Sequence, residues 1–187
     1  MAIRSTAPAL SNLGTTLFYL GRFEAAAGEF EGAVKQNERD ATVWLNLGRA
    51  RYEGPSTREK ARAPLERAIS LGEEQLAVNP RDAELLAGLA DAHAMLGHSR
   101  QARALSARAV ALAPDDSDVL QVGAGIDEMF GKRDAALGKL ARALAAGYPR
   151  WEIERSPSFK ALREDPRFAE VLKGAPPMSA GEEKKPQ

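Results

Sequence analysis

The sequence predicts an all-α fold: an α-solenoid of four antiparallel helix pairs with a short helical cap at its C-terminal end. Three observations carry this. The same residue types recur at an offset of 34. Each recurring unit holds two helix-length stretches joined at a glycine. The chain is also rich in Ala and poor in aromatics, which make up 6% of it. Small side chains allow close helix–helix contact, and Ala is the best helix former. A helix pair of this kind buries its apolar face only by stacking on its neighbours.

The register is set by repeated residues. Leu13-Gly14 recurs as Leu47-Gly48 and Leu10 as Trp44, both at 34. Further along, Leu86 recurs as Leu120, Leu96-Gly97 as Phe130-Gly131, Ala102 as Ala136 and Ala109 as Ala143, again at 34. In the middle, Asn37-Glu38-Arg39-Asp40 resembles Asn79-Pro80-Arg81-Asp82 at an offset of 42. Four units follow, 7–40, 41–82, 83–116 and 117–150. They are preceded by an N-terminal arm, 1–6, and followed by a helical cap, 151–173, and a tail, 174–187.

In the first unit a helix runs from about Pro8 to Leu20, breaks at Gly21 and resumes from Arg22 to Asn37. Ala26, Phe30 and Ala33 then share one helical face. In the second unit Ala61, Leu65 and Ala68 repeat that spacing one residue late. The turn is therefore expected to gain one residue, and the other seven to lengthen the second helix by about two turns. Ser56-Thr57-Arg58-Glu59 has the form of a capping box for that helix. Pro64 would then lie inside it, and with Gly72 it predicts a bend or break. In the later units Gly97 and Gly131 mark the turns, while Asp82 and Asp116 or Ser117 can cap the helices that follow them.

Beyond the repeats, Ser156-Pro157 and Asp165-Pro166 each pair a capping residue with proline at the first helical position. They predict two short helices bearing Phe159, Leu162, Phe168, Val171 and Leu172, with Trp151 and Ile153 before them. Solenoid ends need such a cover for the last apolar face. Residues 174–187, with Pro176-Pro177 and Glu182-Glu183-Lys184-Lys185, are expected to be a disordered tail.

Composition and motifs narrow the function. Lys plus Arg and Asp plus Glu number 26 each, so the net charge is zero. That argues against bulk binding to a phosphate backbone. The absence of Cys removes disulfides, thiolate metal sites and cysteine nucleophiles. No apolar run approaches the roughly 18 residues of a membrane span, and Met1–Thr6 has no apolar stretch behind its one charge. The expected location is the cytoplasm. His93 and His98 are five apart and do not form the one-face pair of a zinc helix. The stretch from Gly125 to Arg133 has five residues between its glycines and an Arg where a phosphate loop needs Ser or Thr. Asp115–Asp118 lacks the later ligands of a calcium loop. No nucleophile–base pair, metal set or cofactor motif is present, so the chain is expected to be non-enzymatic and to carry neither metal nor cofactor.

The pattern of Trp44, Leu47-Gly48, Gly97, Ala102, Ala109 and Pro114 at this period resembles the tetratricopeptide repeat, over 144 of 187 residues. Three positions depart from that pattern. Glu38 replaces the closing proline of the first unit, Gly123 the usual Leu of the fourth, and Tyr148 its closing proline. The resemblance implies a right-handed solenoid whose first helices line a concave groove for a protein or peptide. It places Ser11, Asn12, Thr15, Phe18 and Tyr19 there from the first unit, and Thr42, Asn46, Arg49, Tyr52 and Glu53 from the second. The third supplies Glu84, Gly88, Asp91 and Met95. The fourth supplies Asp118, Gln121, Val122, Glu128 and Met129. Of these, Asn12, Thr15, Tyr19, Asn46, Arg49, Tyr52, Glu53, Glu84, Asp91 and Glu128 are the expected binding residues.

The charges at these positions predict a neutral to basic partner. Family members that clamp the acidic tails of chaperones need Lys, Asn and Arg where this chain has Ser11, Thr15, Glu84 and Gly88. Only Asn46 matches, so no such tail is expected to bind. Arg100, Arg103, Arg108, Lys132, Arg133, Lys139 and Arg142 give the outer helices a positive bias. The stacking aromatics of a single-strand binder are missing there, so nucleic acid is not an expected partner. The C-terminal Tyr-Pro, Ser-Pro and Asp-Pro-Arg-Phe pattern resembles the ends of repeat regions in bacterial signalling proteins. It implies an alternative, a regulatory segment of a Ser/Thr kinase or cyclase system.

Overall fold

The computed structural model describes residues 5–174, and their regular elements are all helical. Four helix pairs run in order: α1 (Ala7–Tyr19) with α2 (Phe23–Gln36), α3 (Ala41–Glu53) with α4 (Arg62–Val78), α5 (Ala83–Met95) with α6 (Ser99–Leu112), and α7 (Ser117–Met129) with α8 (Arg133–Ala145). Two short helices follow, α9 (Arg150–Arg155) and α10 (Pro166–Lys173). The architecture is an α-solenoid.

Local chemistry sets the helix ends. Asp40, Asp82 and Asp116 stand at equivalent places and cap α3, α5 and α7. Their carboxylates accept the amides of Val43, Leu85 and Val119 at 3.1, 3.0 and 2.9 Å. Each satisfies one orphan donor of a first turn. Three turns within pairs close on a left-handed glycine, Gly21 (φ 73°), Gly97 (φ 79°) and Gly131 (φ 71°), and Gly147 (φ 93°) ends α8 in the same way, a conformation that a Cβ disfavours.

Both helices of each pair contribute to the core, and the second helices repeat one buried face. Ala26, Phe30 and Ala33 on α2 are buried, as are Leu65 and Ala68 on α4 with Ala61 just before it. Ala102, Ser106 and Ala109 on α6 and Ala136, Leu140 and Ala143 on α8 repeat the pattern. Gly48 shows why the first helices need small residues opposite this face. A Cβ there would lie 2.4 Å from Leu65 Cδ2.

The eight extra residues of the second unit are distributed differently from the expectation. The α3–α4 connection spans 54–61, five residues longer than the three-residue connections elsewhere, and includes a 3₁₀ turn at 58–60. The helix α4 has 17 residues against 14 in α2, so it grows by less than one turn. Ser56 and Thr57 do not cap it. The Ser56 hydroxyl donates to Glu24 (2.8 Å) and that of Thr57 to the Arg51 carbonyl (3.1 Å). Pro64 falls in the first turn of α4, where its missing N–H would have had no helical partner. No break follows. Gly72 lies within an unbroken helix and admits the Leu89 side chain of α5, whose Cδ2 would be 2.6 Å from a Cβ.

The C-terminal region also differs in detail. Trp151 and Ile153 lie on a helix of their own, α9. Ser156-Pro157 opens only a 3₁₀ turn, 157–159, and Ser156 makes no side-chain cap bond. A second 3₁₀ turn covers 162–164. Asp165 precedes a proline and is extended, so no longer helix can run through it. It does cap α10, accepting from the Arg167 amide at 3.0 Å. Ile153, Phe159, Leu162, Phe168 and Leu172 join Leu137, Leu140 and Leu144 in one core and cover the fourth pair. Of the N-terminal arm, Thr6 accepts from the Ala9 amide and Ser5 from the Gln36 side chain. The tail expected to be disordered lies outside the described residues from 175 on. No helix among the described residues is long and apolar enough to cross a membrane.

Candidate functional site: the concave groove

The first helices of the four pairs face a common cavity of about 440 Å³. Thr15 and Tyr19 of α1, Thr42, Asn46 and Arg49 of α3, Glu84 and Gly88 of α5, and Asp118, Gln121 and Val122 of α7 line it. Their spacing of three and four places them on one face of each helix. Of the ten expected binding residues, Thr15, Tyr19, Asn46, Arg49 and Glu84 are brought together here.

The other five lie elsewhere or have structural partners. Asn12 is exposed on α1, away from the cavity lining. Asp91 pairs with Arg49 at 2.5 Å, joining α3 to α5. Burial works against the Arg49 charge, but Asp91 outweighs it and holds the guanidinium above its ordinary value. Tyr52 carries the Arg58 guanidinium 4.0 Å above its ring. Burial raises the Glu53 carboxyl, and neither Tyr52 nor Glu53 lines the cavity. Glu128 takes two bonds from Arg133, at 2.5 and 3.3 Å, ties α7 to α8 and does not line the cavity.

Eight lining residues come from outside the expected groove positions, and two of them, Tyr148 and Glu152, belong to the C-terminal region rather than to the first six helices. The C-terminal region returns across the groove to α1. The hydroxyls of Tyr19 and Tyr148 are 3.4 Å apart, although the residues are separated by 129 positions. Tyr148 donates to Glu152 Oε2 at 3.0 Å. The Trp151 ring meets that of Tyr19 edge-on, with centroids 5.3 Å apart. Burial raises both phenols. Tyr19 is pushed up to about 12 and Tyr148 further still. The one sequence signal for this contact is that Tyr148 breaks the repeat pattern, standing where the closing proline belongs.

The basic outer helices are largely engaged with the protein itself. Arg108 donates to the Pro80 carbonyl and Arg142, one repeat later, to that of Pro114. Lys139 pairs with Asp127, and Arg103 lies 5.0 Å over the Phe130 ring. His93 and His98 meet across the Gly97 turn, with Nδ1 atoms 3.1 Å apart. Burial, and then His98, lower the His93 imidazole.

Two tetratricopeptide repeat models match the sequence, over residues 11–75 and 65–126. The chain carries tetratricopeptide repeats. Such proteins generally mediate protein or peptide interactions, and their fold is typically a non-enzymatic scaffold. Among solved structures, a thermophilic tetratricopeptide repeat protein from Thermus thermophilus is 22% identical. The match covers 90% of this chain and 100% of that one, with a TM-score of 0.53. YrrB, described as having an unusual peptide-binding site, is 19% identical over 90% of this chain and 84% of its own, with a TM-score of 0.44. MamA from Desulfovibrio magneticus is 14% identical over 92% and 96%, with a TM-score of 0.42. No curated protein sequence matches the chain.

Proposed function

We propose that this tetratricopeptide repeat protein is a non-enzymatic interaction module that takes a neutral to basic peptide, or a segment of a partner domain, in its concave cavity. The observation that carries this is the composition of the cavity wall. Four carboxylates line it, Asp82, Glu84, Asp118 and Glu152, against one guanidinium, Arg49. That guanidinium is already paired with Asp91. The wall therefore favours positive charge in an occupant, while Thr15, Asn46 and Gln121 offer hydrogen bonds to a peptide backbone. Tyr19 supplies amphipathic area with few rotatable bonds.

An array of immobilised ten-residue peptides of graded net charge tests this. The parent is expected to retain neutral and positive peptides and to reject acidic ones. Glu84→Lys combined with Gln121→Lys should weaken retention of the positive peptides at least tenfold. Equal retention by parent and double variant would remove the cavity from consideration as the site.

A further inference from the structure

The two ends of the solenoid meet across the groove. The segment that follows Gly147 is anchored on one side in the fourth pair, where Ile153 and Phe159 are wholly buried. Its other side reaches the groove. Ser158 sits beside Gly125 of α7, 3.5 Å from where a Cβ there would be. Tyr148, Trp151 and Glu152 sit at the end of α1.

The two attachments are unequal. The anchor is a continuous apolar core. The contact with α1 rests on a hydroxyl pair at 3.4 Å, an aromatic edge at 5.3 Å and the nearby Glu152 carboxylate, and Trp151 remains 39% exposed. An aromatic pair and a single hydrogen bond are small terms, whereas separating buried side chains from a core is a large one. On local opening, the α1 contact is expected to part before the anchored core does. The remaining strong contacts of α1 are with α2 and α3, its neighbours in the array.

We propose that Tyr148, Trp151 and Glu152 form a latch with Tyr19 that closes the groove, and that a peptide enters by releasing this latch. The latch rests on the reading of the cavity as a peptide site. It makes the C-terminal region an intramolecular occupant of the groove as well as a cap. A peptide that reaches Tyr19 competes with Trp151 for the same ring, so its apparent affinity is reduced by the fraction of molecules held closed.

Hydrogen exchange on the full chain tests the latch without a partner. In Trp151→Ala, amides of 15–19 and 148–152 are expected to exchange faster together, by about threefold to tenfold, the weight of one aromatic contact. Amides of α3 to α6 should be unchanged. A second variant, Tyr148→Phe, keeps the buried ring and removes both hydroxyl contacts, and should act in the same direction. Unchanged exchange at 15–19 in both variants overturns the proposal. On the peptide array, both variants should bind more tightly than the parent by a similar factor. Peptides held equally by parent and variants overturn the latch and leave the groove as the site. An array silent towards all three proteins overturns the peptide reading, and the gate with it.

Discussion

At the scale of single residues, close approach explains most of the sequence pattern. Gly48 faces Leu65, which is buried and would have to shift to admit a Cβ. Gly28, on the open side of α2, would meet nothing within 4 Å. Gly48→Ala should therefore cost about 1–3 kcal/mol through overpacking. Gly28→Ala should gain up to about 1 kcal/mol from helix propensity. Urea midpoints of the two variants are expected on opposite sides of the parent. The histidine pair gives a pH prediction. His93 is held below its ordinary value of 6.5. The unfolded chain therefore takes up the proton first, and stability falls as pH drops through about 6.5. Replacing His98 with Ala should flatten that acid limb, as read from thermal midpoints between pH 7 and 5. Gly123 and Tyr148 both depart from the repeat pattern, and both have a local role. Gly123 leaves room for the Lys139 stem, 3.2 Å from a notional Cβ, on its way to Asp127. Tyr148 turns the chain end towards α1.

At the scale of elements, caps and turns recur with the repeat. Asp116 accepts the Val119 amide as Asp40 and Asp82 do at their own helices. Asp116→Ala is expected to cost about 1 kcal/mol, while Asp116→Asn should cost a few tenths. The loss should show as faster exchange in the first turn of α7, with α3 unaffected. The second unit departs from expectation at this scale. The Ala61, Leu65 and Ala68 face was legible, but the sequence did not show where the extra residues would go. A helix and a folded-back loop can both absorb them. The choice fell to the loop because Thr57 can bond back to the Arg51 carbonyl and Ser56 can reach Glu24. Once the loop takes up length, Pro64 moves into the first turn, where it is harmless.

At the scale of the whole molecule, the ends decide how the array behaves. The cap closes the fourth pair with Phe159 at its centre, wholly buried. Phe159→Ala should cost about 3–5 kcal/mol. Because repeats couple mainly to their neighbours, exchange in α7 and α8 should rise before that in α2 and α3. The Tyr19 phenol gives the alkaline counterpart. Its folded value of about 12 lies above the ordinary 10.0. Its contribution is present in full below pH 10 and is lost between 10 and about 12, as the unfolded state releases the proton first. Tyr19→Phe should remove part of that decline, followed by circular dichroism across the same range.

The repeat type, the helix pairs, the caps at Asp82 and Asp116 and the helix faces that line the cavity were legible from the sequence. Each depends on residues close in the chain, or on a period that copies one local solution four times. That is why Thr15, Tyr19, Asn46, Arg49 and Glu84, expected on the groove face, line the cavity. Periodicity could not show which groove residues already have partners. Arg49 with Asp91, and Glu128 with Arg133, are settled by side-chain reach across neighbouring helices. Nor could it show that Tyr148 and Trp151 return to Tyr19, because that meeting depends on the summed curvature of four pairs and on no local preference. Sequence alone determined what the repeat is and which helix of each pair faces the cavity. Only the tertiary structure decided that the two ends of the groove touch.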